Sequence, residues 1–159
     1  MSSDRLSRRA ALFAVLGLAG CGFVPAFAPG GTAAKWQNAV IVDAPDTTMG
    51  FRMGARLRET LGAPAAARFA MTIAPQTAPV PATITEEGDI TRLNLTGNAA
   101  WQIKDLATGM VVEEGLVQTF TSYSATGSTV ATQAAETDAL ERLSVALADL
   151  IVQQLLTAS

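Results

Sequence analysis

With 159 residues, 49% of them apolar and 16% charged, the chain has enough apolar material to bury one core and too much to stay unfolded. A formal net charge of −3 argues against a nucleic-acid binder, which would carry a basic face. No histidine and a single cysteine exclude a His-dependent triad, a His-ligated zinc, an internal disulfide and a sulfur-cluster site.

The chain opens with Arg5, Arg8 and Arg9 against one acid, Asp4, followed by AALFAVLGLA, ten residues without charge. That is a basic n-region and an apolar run of signal-peptide length, too short to span a bilayer core. Small residues then lead into the lone thiol, as LAG-Cys21. The stretch resembles a bacterial lipoprotein signal with its lipobox. In such signals the cysteine sulfur takes diacylglycerol, cleavage falls just before it, and the new amine is acylated. Cys21 is therefore expected to be a lipidation site, and several acyl chains hold firmly where one holds marginally. Gly22, standing where an aspartate would signal inner-membrane retention, points to the outer membrane. Arg8-Arg9 leaves the general and the twin-arginine export routes both open. The expected division is a signal peptide over 1–20, a lipidated flexible tether over 21–34, and one domain over 35–159. Without its leader, which holds three Arg and one Asp, the chain's charge falls to −5.

GFVPAFAPGGTAA (22–34) is rich in Gly, Pro and Ala, as a tether should be. WQNAVIV (36–42) reads as a first strand. Over 48–61 the period changes: Met49, Met53, Leu57 and Leu61 recur every fourth residue, a helix capped by Thr47 or Thr48 and ended by Gly62. RFAMTIA (68–74) alternates as a half-buried strand. The prolines and acids of residues 75–89 predict a loop or irregular edge segment. Residues 90–104 and 110–123 alternate again around DLATG, a long hairpin with a bulge expected near Glu113-Glu114-Gly115. From Thr129 to about Leu156 there is neither Gly nor Pro, and the apolar residues follow a helical period. The order β-α-β-β-β-α predicts an α+β two-layer sandwich: a small, mostly antiparallel four-stranded sheet with two helices packed on it.

Catalytic chemistry is hard to assemble from these residues. Glu113 and Glu114 are adjacent on a strand and point to opposite faces, so they cannot converge on one substrate. Glu86, Glu87 and Asp89 lack calcium-loop spacing. No serine has a histidine to activate it, and no glycine-rich phosphate loop occurs. The reading is a non-enzyme with no cofactor and no metal. Arg52 and Arg56, at i,i+4, share a helix face, and with Arg58, Arg92 and Lys104 they are the main cationic supply for an anion such as a lipid phosphate.

These parts together resemble one family. The lipobox running into CGFVPAF, the strand NLTGNAAWQIKD, its partner VVEEGLVQTFTSYSA and the last helix AAETDALERLSVALADLIVQQL are similar to the LptE lipopolysaccharide-assembly lipoproteins in their alphaproteobacterial form. The resemblance covers essentially the whole chain. It implies a lipoprotein held in the periplasmic leaflet of the outer membrane through Cys21. It further implies that the lipoprotein plugs and helps assemble the large lipopolysaccharide-inserting β-barrel LptD, and contacts lipopolysaccharide, for which Arg52, Arg56, Arg92 and Lys104 are candidates by chemistry. The alternative reading is a stand-alone periplasm-facing lipid-binding lipoprotein, which requires an apolar pocket between sheet and helices.

Overall fold

The computed structural model describes residues 31, 33–84, 90–125 and 128–157. The leader, Cys21 and the cluster Glu86, Glu87 and Asp89 lie outside the described residues. The elements are β1 (Val40–Asp43), α1 (Thr48–Leu61), β2 (Phe69–Ile84), β3 (Ile90–Asp105), β4 (Val111–Ser124) and α2 (Thr129–Thr157), in the order the sequence predicts. They form a four-stranded mixed sheet, β1-β2-β3-β4, with β1 parallel to β2 and the other pairs antiparallel.

Both helices pack on one face of the sheet. α1 starts where Thr47 accepts a hydrogen bond from the Gly50 N–H (3.0 Å), and ends where the Gly62 N–H donates to the Arg58 carbonyl (3.0 Å). Its every-fourth stripe, Met49, Met53, Leu57 and Leu61, is buried. α2 buries Ala139, Leu143, Leu147, Ile151 and Leu155 over the same sheet face. From the strands, Val40, Val42, Phe69, Met71, Ile73, Leu95, Ala99, Trp101, Ile103 and Val117 complete the core. Each fully buried large side chain contributes about 1.5–3 kcal/mol to folding.

Three local expectations are corrected. The first strand begins at Val40, not Trp36: Asn38 adopts φ 53° and its N–H donates to the Leu61 carbonyl, so residues 33–39 form turns against the end of α1. The bulge falls at Val112, because Lys104 pairs with Val111 and Ile103 with Glu113. Val111 is thereby turned away from the face that Val117 occupies.

The largest correction concerns 75–84, expected to be a loop or an irregular edge segment and in fact the second half of β2. Phe69 donates its N–H to Ala39 on the β1 side. With a strand's period of two, the odd positions of β2 point their backbone groups that way and the even ones point to β3. Pro75, Pro79 and Pro81 are all odd, and β1 pairs with β2 only as far as Thr72. Each proline's missing donor therefore lies on an unpaired edge, and the ladder to β3 continues beside all three.

Candidate interaction surfaces

The alternation that buries one face of the sheet leaves the other uncovered. Through its middle this open face presents Thr72, Ala74, Gln76, Ala78 and Val80 from β2, Asn94, Thr96, Asn98, Ala100 and Gln102 from β3, and Glu114, Leu116, Gln118, Phe120 and Ser122 from β4. Of these side chains only Glu114 ionises. Amides, hydroxyls and methyl groups make up the rest, with Phe120 the most prominent apolar group at 60% exposure. Ser122 Oγ donates to Asn94 Oδ1 (2.6 Å), and Thr96 Oγ1 donates to the Ala78 carbonyl (2.9 Å), so part of the polar capacity is already oriented. Two depressions sit on this face, one lined by Thr72, Ala74, Ala100, Gln102 and Glu114, the other by Thr96, Asn98, Gln118 and Phe120.

The layer between sheet and helices is filled. Trp36, Met53, Leu57, Leu61, Met71, Ile103, Leu143, Leu147, Ile151 and Leu155 are all under 2% exposed there. Close packing of this kind weighs against the stand-alone lipid-binding alternative, which needs that space open.

The four candidate cations do not converge. Arg52 pairs with Glu141 (2.6 Å), and Arg56 donates to Asp149 (2.7 Å) and Glu59 (3.0 Å). Both arginines thus tie α1 to α2. The hydrogen bond it donates to Asp149, then that to Glu59, pushes the Arg56 guanidinium above its already high ordinary value, so it stays charged. Arg92 and Lys104 are exposed on the open sheet face, near opposite ends of β3 and roughly 40 Å apart along the strand. Sequence reasoning identified the shared face of Arg52 and Arg56 but not the acids opposite, because those come from a helix about ninety residues further on. It also missed the breadth of the open face, because the prolines of 75–81 predict a loop or an irregular edge segment instead of a regular strand.

Two further sites tune the ends of the fold. At the β3–β4 turn, Asp105 Oδ1 accepts from the N–H groups of Ala107 (2.9 Å) and Thr108 (3.1 Å). Those two donors, with Arg68 nearby, hold its carboxyl below the ordinary range despite its burial. Tyr123 is buried under α2, and desolvation, aided by Glu136, pushes its phenol up. Among the described residues no group of three or more His, Cys, Asp and Glu could hold a metal, and no helix is long and apolar enough to cross a membrane.

The fold has known relatives. A candidate lipoprotein of Caulobacter crescentus CB15 superposes with a TM-score of 0.65 at 18% identity, covering 80% of this chain and 95% of its own. Rare lipoprotein B from Shewanella oneidensis gives 0.58 at 10% identity, covering 75% and 92%. A minor lipoprotein from Acinetobacter baumannii gives 0.53 at 16%, covering 75% and 89%. At such identities these likenesses establish the architecture alone. No curated protein sequence matches the chain. The family model LptE, lipopolysaccharide-assembly, matches residues 37–155, from the turns before β1 to the end of α2. The chain therefore belongs to the LptE family: it is a non-enzymatic, lipid-anchored lipoprotein of the outer membrane, facing the periplasm and serving lipopolysaccharide assembly.

Proposed function

We propose that this chain seats in, and helps assemble, a large LptD-like outer-membrane β-barrel, with its open sheet face against the barrel's lumen wall. The observation that carries this reading is the open face rich in amides and hydroxyls, with Glu114 the one ionisable group of its middle. A barrel interior is polar and wet, and a wall made mostly of amides and hydroxyls exchanges hydrogen bonds with such a lining while few ions are desolvated. The helix layer, by contrast, already uses Arg52 and Arg56 internally. For direct lipopolysaccharide contact, Arg92 and Lys104 are the better placed of the four cations, since neither has an acidic partner among the described residues. Residues 1–20 act as the export signal, Cys21 carries the acyl chains, residues 21–34 form the tether and 35–159 the working domain.

Affinity capture of the full-length lipoprotein from native outer membranes tests the partnership. The expected result is co-purification of one large β-barrel, weakened when Gln118 and Phe120 are both changed to Glu. Capture without any barrel, together with normal barrel assembly after depletion, would refute it. Replacing Cys21 with Ala should abolish acyl labelling; labelling that persists would refute the anchor assignment.

A further inference from the structure

We propose that the β3–β4 turn is a membrane-contacting tip, with Leu106 and Met110 inserting at headgroup level into the bilayer that holds the lipid anchor. The proposal rests on the Cys21 anchor reading and extends it to the folded domain.

The tip is apolar and outward-facing. Leu106 is 52% exposed, Met110 67%, Val111 43% and Val112 44%, four apolar side chains within seven residues. A monomeric protein seldom leaves such a group unpartnered. The turn is also rigid. Asp105 Oδ1 holds the Ala107 and Thr108 N–H groups, Gly109 (φ 72°) donates to the Asp105 carbonyl (2.8 Å), and Asp105 donates to the Met110 carbonyl (3.0 Å). The side chains are thus presented without an ordering cost on contact.

Position selects the lipid surface as the occupant. Leu106 donates to the Arg68 carbonyl (2.9 Å) and Arg68 to the Ala39 carbonyl (2.9 Å), which fixes the turn beside the segment through which the chain enters the domain. Cys21 precedes Gly31 by ten residues, a reach of at most about 36 Å. The acyl chains and the tip are therefore confined to the same neighbourhood. Charge on this end is mixed: Lys35, Arg68 and Lys104 are exposed, Asp105 is turned inward at 9% exposure and faces Arg68 (3.6 Å), and the acids Glu113 and Glu114 stand behind Val112 on β4. Lysine and arginine beside an apolar tip can reach lipid phosphates while their stems lie along the apolar surface.

The test uses the full-length acylated lipoprotein carrying Met110→Cys, in which acylation of Cys21 leaves the new thiol as the single labelling site. An environment-sensitive fluorophore is attached and the protein reconstituted in phosphatidylethanolamine–phosphatidylglycerol vesicles containing a lipid-borne quencher. A second chain, Val130→Cys, carries the same label at the 78%-exposed start of α2. Flotation with the vesicles, several-fold stronger quenching at position 110 than at 130, and a loss of that difference on adding Leu106→Ser are expected. Flotation with equal quenching at both positions overturns the tip and leaves the anchor standing. Shielding at 110 that arises only after a β-barrel is co-reconstituted overturns the lipid assignment in favour of a protein partner. Failure to float overturns the anchor reading, and this inference with it.

Discussion

The two edges of the sheet solve one problem in opposite ways. Beyond Thr72 the outer edge of β2 is bare, and β4 is bare along its whole length unless something covers it. An exposed strand edge invites pairing with another chain. On β2 the remedy is covalent, since Pro75, Pro79 and Pro81 delete donors at alternate positions on the open side. On β4 it is tertiary. Ala125 donates inward to Thr91, so the even carbonyls point outward, and α2 reaches them: Gln154 donates to Leu116 (3.1 Å) and Arg142 to Ser122 (3.4 Å). Proline protects an edge with no help from the rest of the fold, whereas the β4 edge is protected only while α2 is docked. The β2 edge should therefore be insensitive to packing mutations, and the β4 edge highly sensitive.

The strongest way to break that asymmetry is at Gly115. A β-carbon there would lie 2.9 Å from the Trp101 ring and 2.8 Å from Gln154 Oε1, so Gly115→Val should push α2 off β4 and cost about 1–3 kcal/mol in chemical denaturation. Ala78→Pro comes next. It places the same residue type one position away from Pro79, on the parity that bonds β3, and the lost, unsatisfied pairing should cost about 1–3 kcal/mol. Gln154→Leu strands both the Trp101 Nε1–H, now bonded at 2.9 Å, and the Leu116 carbonyl. A loss of about 1–2 kcal/mol is expected, with faster amide exchange along β4 and none along β2. Pro79→Thr, by contrast, should leave stability within about 0.5 kcal/mol and appear instead as concentration-dependent self-association in sedimentation. The smallest effects lie in the charges. Arg52→Ala removes a half-exposed ion pair and should cost under about 1 kcal/mol. Asp105, held below its ordinary value by two backbone donors, stabilises the fold above the ordinary carboxylate range; that contribution should fade as pH drops through the depressed value. Denaturant midpoints at pH 5 and pH 3 should show the fall, and Asp105→Asn should reduce it.

The order of elements was legible because each helix and most strands carry an unambiguous period: Met49 through Leu61 in fours, Leu93 through Ile103 in twos. Half of β2 was not, and the reason is physical. Proline reads as a strand breaker unless the reader knows which side of the strand is unpaired, and that depends on β1 stopping at Asp43. Likewise Arg52 and Arg56 declared a shared face but not its neighbours, so ties between helices were indistinguishable from an anion site. The open, amide- and hydroxyl-rich sheet face was half visible in the Thr, Ser and Gln of β4, and became a continuous surface only when β2 was added to it.

The shortness of β1 has a mechanical meaning. Its four rungs to β2 are parallel, and the chain enters at the same end from which β1 starts. A pull on the amino terminus, directed away from the domain through that end, runs along β1 and stresses its rungs together instead of peeling them singly. Buried Ala33 and Trp36 stand ahead of them as a first stop. A domain leashed at its front would thereby resist tugging with very little hydrogen-bonded length.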